Sequence, residues 1–135
     1  MKVLLIEDRD SDALLIKEAL ADLKYECLLT RVKGGREAFA FLENLPPHDF
    51  PDLILLDLSM PEISGDEVLR VLKDHSRWKI IPVVVLTTSN SPEDRKKCQE
   101  LNTDGYLTKP FSFEELTVSI KGTLDYWNRV YSPSY

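Results

Sequence analysis

The stretch LILLDLSMPEISG, residues 53–65, combines the pattern of a buried strand with a single carboxylate. Five of the six residues from 53 to 58 are apolar, and the exception is Asp57. A carboxylate at the end of a buried strand costs desolvation free energy unless a partner compensates it. Pro61 and Gly65 follow, which indicates a turn. The stretch therefore predicts a strand whose last residue either caps a turn or binds a partner.

Length and composition indicate one soluble globular domain. The chain has 135 residues, of which 43% are hydrophobic and 30% are charged, and this size can bury a sizeable core. The formal net charge of -6 argues against a nucleic-acid-binding surface, which would need a basic patch. Cys27 and Cys98 lack the spacing of metal ligands and are expected to be reduced thiols.

No stretch approaches the length of a membrane span, and the first apolar run is too short for a signal peptide. These observations predict a cytoplasmic protein with no membrane contact. We expect residues 1–135 to form a single domain, with a helical extension from about residue 125 and no output domain.

Apolar runs alternate with amphipathic segments along the whole chain. The runs predict strands at residues 3–6, 27–32, 53–56, 80–86 and 105–107, each followed by a helix. Ser64 and Ser112 are each followed three residues later by Glu, which is the pattern of a capping box, and Ser91 precedes a Pro at a helix start. Together these features predict an α/β fold, a single flavodoxin-like doubly wound (βα)5 domain with parallel sheet order 2-1-3-4-5.

Charged side chains follow the strands of this predicted sheet at one edge. Glu7 and Asp8 follow the first strand, and Asp57 ends the third, which is its neighbour. Carboxylates this close need compensation, and Mg²⁺ prefers carboxylate oxygens together with waters and phosphate oxygens. Thr87 ends the fourth strand and Lys109 follows the fifth, so that a hydroxyl and an ammonium reach the same edge. The sequence therefore predicts a magnesium site suited to phosphoryl transfer.

Asp57 is the candidate nucleophile of this site, because a carboxylate can form an aspartyl-phosphate. Taken alone, each residue also has an ordinary interpretation: Asp57 as a turn residue, Thr87 as the end of a β-branched strand and Lys109 as a surface lysine. Their convergence at one edge of the sheet favours the functional interpretation.

Four motifs in this order closely resemble the receiver domain of two-component response regulators: LLIEDRDSD (4–12), PDLILLDLSMPEISG (51–65), VVVLTTS (83–89) and GYLTKPF (105–111). The resemblance covers nearly the whole chain. It implies that Asp57 is the phosphoacceptor. It also implies that Asp8 and Asp57 bind Mg²⁺ through their side chains, that the Ser59 carbonyl is a third ligand and that Glu7 acts through water.

The same resemblance assigns the remaining site residues. Thr87 and Lys109 would contact the phosphoryl group, and Tyr106 would be the aromatic residue that switches with Thr87. The bond between Lys109 and Pro110 is expected to be cis. Position 7 is Glu where Asp is commoner in the family, and Ser59 and Ser89 occupy variable positions that tune the phosphoryl lifetime.

The resemblance also implies the partners. A receiver takes its phosphoryl group from a sensor histidine kinase or a histidine phosphotransfer protein, and it acts as a signalling protein that assists its own phosphorylation and dephosphorylation. The loop at residues 46–48 and the DYW at residues 125–127 look similar to small regulators paired with phytochrome kinases. With no predicted output domain, the signal would leave by protein contact or onward phosphotransfer.

Two candidate partner surfaces follow from helix patterns. Leu15 lies off the core stripe of the first helix and would face a kinase. The last helix is longer than the strands, so that Tyr126, Trp127 and Tyr131 would have little of their own domain beneath them. We expect a symmetric homodimer that uses the fourth helix, the fifth strand and the fifth helix, with these aromatic residues at or beside the contact.

Three alternatives share parts of this pattern. A flavin carrier has the same sheet order, but its loop after the first strand would cradle phosphate, and the loop here is EDRDSD. An aspartyl phosphatase usually carries a second Asp two residues after the nucleophile, where this chain has Ser59. A degenerate receiver that only binds proteins would not need the intact site residues.

Overall fold

The structure is a computed structural model, which describes residues 1–23, 26–60, 62–88, 91–110 and 112–131, except for the side chain of Tyr131. Strands and helices alternate throughout. They are β1 (Lys2–Ile6), α1 (Asp10–Leu20), β2 (Leu28–Val32), α2 (Gly35–Glu43), β3 (Leu53–Asp57), α3 (Gly65–Asp74), β4 (Val83–Thr87), α4 (Pro92–Glu100), β5 (Gly105–Thr108) and α5 (Phe113–Tyr131). Short 3₁₀ turns lie at Pro47–Asp49 and Trp78–Ile80.

The strands form one parallel sheet in the order β2-β1-β3-β4-β5, which confirms the predicted flavodoxin-like fold. The register aligns the carboxyl ends of the strands. Ile6 lies beside Leu56, and Asp57 lies beside Leu86, so that the residues that follow β1, β3 and β4 meet at one edge. Strand pairing therefore positions the predicted site.

Alternating side chains of the strands fill two apolar layers, one on each face of the sheet. On one face, Leu4 and Ile54 pack with residues of α2, α3 and α4. On the other face, Leu5 and Leu55 pack with residues of α1 and α5. The side chains of Leu4, Leu5, Ile54 and Leu55 are all buried. Because both faces of the sheet are covered, the sequences of the strands are continuous apolar runs.

Two local predictions are wrong. The fourth strand begins at Val83, not at residue 80, and Ile80 is 71% exposed. Pro82, which precedes the strand, has no N–H to donate to a sheet ladder, and the residues before it form the 3₁₀ turn. At α3, the Ser64 side chain makes no capping hydrogen bond. The Ser64 hydroxyl instead contacts the Asp66 carboxylate, and only the Ser64 carbonyl joins the helix, by accepting from the Val68 N–H.

The other predicted helix starts are confirmed. Ser91 accepts hydrogen bonds from the backbone N–H groups of Glu93 and Asp94, and Ser112 accepts one from the N–H of Glu115. Cys27 and Cys98 form no disulfide. Among the described residues, none of the helices has the length and apolar character that crossing a membrane would require.

Candidate functional site

Three carboxylates meet at the carboxyl edge of the sheet, as predicted. Glu7, Asp8 and Asp57 each offer an oxygen, and these oxygens all lie within 4.8 Å of one another. Glu7 is 0% exposed and Asp57 is 4% exposed, because Glu7 directly follows the buried strand β1 and Asp57 ends the buried strand β3, whereas Asp8 is half-buried. The arrangement concentrates negative charge in a site that excludes most water.

One cation compensates part of this charge. The Lys109 ammonium donates hydrogen bonds to Glu7 Oε1 at 2.6 Å and to Asp12 Oδ2 at 3.0 Å, and its Nζ lies 3.9 Å from Asp57 Oδ1. Burial opposes the charged form of Lys109, but the hydrogen bond to Glu7 and the attraction of Asp57 outweigh it and raise the pKa of Lys109. The lysine therefore stays charged at neutral pH.

The carboxylates still outnumber the cation, and the effect appears at Glu7. Burial, together with the nearby Asp57 carboxyl, raises the pKa of Glu7 to about 8, although the Lys109 ammonium opposes the shift. Without further positive charge, Glu7 thus keeps a proton under neutral conditions. An added cation would remove the cause of this shift.

The residues present fit a hard divalent cation. Asp8 Oδ1 is buried and has no hydrogen-bond partner among the residues that the structure describes, although a buried carboxylate oxygen normally has one. With Glu7 and Asp57 it forms an all-oxygen donor set of the kind that Mg²⁺ and Mn²⁺ take. The orphaned oxygen is accounted for if it serves as a metal ligand. The Ser59 carbonyl stays a predicted ligand.

The loop after β3 holds the Asp57 carboxylate. The Ser59 N–H donates to Asp57 Oδ1 at 3.2 Å, and the Gly65 N–H donates to the Leu58 carbonyl at 3.1 Å. A Cβ atom on Gly65 would lie 2.4 Å from Leu58 Cα and 2.5 Å from the Asp57 carbonyl oxygen. Only glycine lets α3 begin this close to the loop. The structure of the site therefore requires glycine at position 65. The sequence indicates this glycine by its place at the end of residues 53–65, directly after the turn.

Thr87 and Tyr106 lie where the switch residues are predicted. Thr87 is 0% exposed at the end of β4, and its carbonyl accepts the Lys109 N–H at 2.6 Å. With Ser59, Thr87 lines a cavity of about 150 Å³ between the site and α4. Tyr106 is half-buried in β5, and the Arg95 guanidinium lies over its ring. Ser89 lies outside the described residues.

The expectation of a cis bond between Lys109 and Pro110 is wrong, because the described chain contains no cis peptide bond. The trans form of an X–Pro bond is favoured by only about 0.5–1 kcal/mol, so that the sequence by itself decides neither isomer.

Two residues of the site were not predicted. Asp12, in the first turn of α1, is the second carboxylate that binds Lys109. Arg31, at the end of β2, donates from Nε to the Glu7 carbonyl at 2.8 Å and from Nη1 to Asp10 Oδ1 at 2.9 Å. The sequence feature that could have identified Arg31 is its place inside an apolar strand next to the acidic loop that follows β1. The Arg31 side chain links that loop to β2.

The structure gives the exposure of the residues predicted to contact partners, and their role as partner surfaces stays a prediction. Leu15 is 36% exposed on α1, and Leu14, which was not predicted, is more exposed beside it. Tyr126 is 60% exposed on α5. Trp127 is half-buried and packs against the apolar layer that includes residues of α1 and α5, so that the expectation of little support beneath it is wrong. The side chain of Tyr131 lies outside the described residues.

Comparison with known proteins places the chain in a family. The response regulator receiver domain matches residues 3–121. The probable methanogenesis regulatory protein FilR2 of Methanothrix harundinacea is 37% identical over 130 residues, which cover 93% of this chain and 82% of that protein. Response regulator Rcp1 of Synechocystis sp. is 37% identical over 128 residues, with 93% and 87% covered.

Solved structures agree with these relatives. The phosphorylated cyanobacterial phytochrome response regulator RcpA superposes with a TM-score of 0.88, at 37% identity over 98% of both chains. The Mn(2+)-bound form of Rcp1 superposes with a TM-score of 0.84, at 36% identity over 93% of both chains. The family match, the relatives and the site geometry lead to one conclusion: this chain belongs to the response regulator receiver family, and its similarity to Rcp1 and RcpA supports the subgroup of small phytochrome-associated regulators.

Proposed function

We propose that Asp57 accepts a phosphoryl group from a phosphohistidine of a sensor histidine kinase or a histidine phosphotransfer protein. An Asp57 carboxylate oxygen attacks phosphorus, the P–N bond breaks, and the imidazole keeps the electron pair and takes up a proton. The observation that carries the proposal is the convergence of Glu7, Asp8, Asp57 and Lys109 in one buried cluster.

The surrounding residues have separate roles in this proposal. Glu7, Asp8 and Asp57, with the Ser59 carbonyl, would hold Mg²⁺, which neutralises charge on the transferring phosphoryl group. The Lys109 ammonium and the Thr87 hydroxyl contact the phosphoryl oxygens. Drawing in the Thr87 hydroxyl leaves space that Tyr106 fills by turning inward. The protein is thus a signalling phosphoacceptor that assists its own phosphorylation and dephosphorylation, and it acts on no separate substrate.

The kinase is proposed to be of the phytochrome type, and the support for this is similarity to RcpA, whose structure is that of a cyanobacterial phytochrome response regulator. We propose a cytoplasmic protein whose chain of 135 residues is one receiver domain. Its signal would leave by protein contact or onward phosphotransfer, and its negative net charge disfavours nucleic acid as a partner.

We also propose a symmetric homodimer that uses α4, β5 and α5. Support comes from Val118, Tyr126 and Val130, which are 71%, 60% and 50% exposed along α5. Tyr126 also packs edge-on against Trp127, with ring centroids 5.1 Å apart, so that the exposed aromatic ring is held in place. An exposed apolar stripe with a fixed aromatic residue is typical of an interface.

Intact-protein mass spectrometry tests the phosphoacceptor. In the presence of Mg²⁺ and acetyl phosphate, the wild type should gain one phosphoryl group and Asp57→Asn should gain none. Asp49→Asn, which removes a carboxylate beside the 3₁₀ turn before β3, is the matched control and should be labelled like the wild type. Labelling of Asp57→Asn to the wild-type extent would exclude Asp57 as the acceptor.

A further inference from the structure

The Lys109 ammonium is shared among three carboxylates at unequal distances. Glu7 and Asp12 both lie within hydrogen-bonding distance, at 2.6 Å and 3.0 Å, whereas Asp57 Oδ1 lies at 3.9 Å, beyond that range. An ammonium has three N–H donors, and two of them are used here away from Asp57. One N–H donor remains for a phosphoryl group on Asp57, and Lys109 can direct a second donor to that group only by loosening one of these two contacts.

Of the two described residues that accept hydrogen bonds from the Lys109 ammonium, Asp12 is the one that lies outside the carboxylate cluster. Glu7 shares that cluster with Asp8 and Asp57, whereas Asp12 belongs to the first turn of α1 and is not one of the grouped acids. Its backbone is fixed, because Ala13 beside it is buried against the sheet. The first turn of α1 thus presents to Lys109 a carboxylate that lies outside the cluster of acids.

Asp12 also borders open space. Together with Arg9, Leu15, Thr108, Lys109 and Pro110 it lines a cavity of about 450 Å³ at the carboxyl edge of the sheet. The Asp12 side chain is 26% exposed, whereas that of Lys109 is 10% exposed. The ion pair therefore borders the cavity, and a substitution at the partly exposed Asp12 is expected to leave the core intact.

We propose that Asp12 is a positioning residue that holds the Lys109 ammonium away from Asp57 in the resting protein and competes with the phosphoryl group for it. This inference rests on the proposed function, because it concerns the lysine of that same site. Removal of the Asp12 charge should strengthen phosphoryl binding in two ways. It releases a donor of Lys109 from an ionic partner, and it removes a negative charge that repels an incoming phosphoryl anion.

The affinity for beryllofluoride, a phosphoryl mimic, measures this competition when it is titrated in the presence of Mg²⁺. Asp12→Asn should bind the mimic about fivefold more tightly than the wild type, the factor expected for loss of a partly exposed ion pair. Asp12→Glu restores the charge and should return the affinity toward the wild-type value. Glu114→Gln removes a charge from the first turn of α5 and should leave the affinity unchanged. Equal or weaker binding by Asp12→Asn would overturn the proposal.

A second measurement is independent of phosphoryl binding and of metal. In the metal-free protein, the ¹H–¹⁵N signal of the Lys109 ammonium should exchange with water at least about fivefold faster in Asp12→Asn than in the wild type, because the hydrogen bond to residue 12 loses its ionic partner and weakens. Unchanged exchange would refute the role of Asp12. If the wild type itself fails to bind beryllofluoride, the proposed function fails, and the exchange measurement still decides whether Asp12 holds Lys109.

Discussion

The guanidinium of Arg95 lies over the ring of Tyr106, with its Cζ atom 4.9 Å from the ring centroid. Arg95 belongs to α4 and Tyr106 to β5, so that the contact joins the helix to the residue proposed to switch. A cation over an aromatic face contributes about 0.5–1 kcal/mol at an exposed site. This is enough to bias a side chain that has two accessible rotamers.

Arg95→Ala should therefore increase the inward population of Tyr106 by about two- to fivefold before any phosphorylation. Side-chain NMR of Tyr106 would measure it as a chemical shift displaced toward the value of the beryllofluoride-loaded protein. Lys96→Ala removes the neighbouring charge on the same helix and should leave the spectrum unchanged. The cation–π contact has no part in the switch if both variants give the wild-type shift.

Asp8→Asn should weaken Mg²⁺ binding by at least about tenfold, because it removes a proposed carboxylate ligand, whose Oδ1 has no other partner within the described part of the chain. Isothermal titration calorimetry gives the dissociation constant directly. Asp49→Asn carries the same change of charge at a distance from the site and should retain the wild-type affinity. A metal affinity that is equal in the two variants would place the ion elsewhere.

The stability of the metal-free protein should fall as the pH rises. The pKa of Glu7 is raised from 4.5 to about 8, so the folded protein binds a proton more tightly than the unfolded chain does. The stability from this proton is fully present below about pH 4.5 and is lost as the pH rises through about 8.

Urea unfolding between pH 5 and 9 measures this dependence, and saturating Mg²⁺ should flatten it because the metal favours the ionised carboxylate. Glu7→Gln removes the titrating group and should show a smaller loss of stability over the same range. An identical slope for the wild type and Glu7→Gln would show that Glu7 does not cause the effect.

Gly65→Ala should destabilise the protein and weaken Mg²⁺ binding together. The added Cβ would meet backbone atoms of Leu58 and Asp57 at 2.4 Å and 2.5 Å, and backbone cannot give way without moving the end of β3, which carries the proposed phosphoacceptor. Gly122→Ala is the matched control, because nothing lies within 4 Å of its Cβ position and it sits inside α5. This variant should gain up to about 1 kcal/mol from helix propensity. Thermal unfolding and calorimetry of both variants would check the contrast.

Tyr126→Ser should weaken self-association, because it removes the largest exposed apolar side chain among those described on α5. Sedimentation at several concentrations, with and without beryllofluoride, measures the dimer. Leu28→Ser removes an apolar side chain that is 56% exposed on the edge strand β2, away from α5, and should leave association unchanged. A wild type that is monomeric under every condition would rule out the proposed dimer.

The sheet order and the central site were predictable because they depend on patterns that the fold uses directly. Strands covered on both faces must be apolar throughout, so that a carboxylate such as Asp57 is conspicuous at the end of one. Parallel strands then bring the residues after β1, β3 and β4 to the same edge. Those two facts are enough to place Glu7, Asp8, Asp57 and Thr87 together.

The remaining parts depend on side-chain reach and on local competition. The sequence patterns of α1 and β2 identify core positions but not the contacts of the polar residues Asp12 and Arg31. Lys109 has a long side chain that can reach several carboxylates, and the sequence does not show which of them it binds. Ser64 satisfies the capping pattern, yet its hydroxyl contacts Asp66 instead. The prediction that little of the domain lies beneath Trp127 was based on the length of α5. Helix length does not determine how a large side chain packs against the core.

The carboxylates of the proposed site lie at one edge of the sheet, whereas the exposed apolar side chains Val118, Tyr126 and Val130 lie on α5. Substitutions of these three apolar residues by other uncharged residues change no charge of the site. If the proposed interface on α5 selects the partner, partner choice and the rate of the proposed phosphoryl chemistry can evolve separately. A descendant of this chain could exchange one signalling partner for another by surface changes alone and inherit its reaction intact.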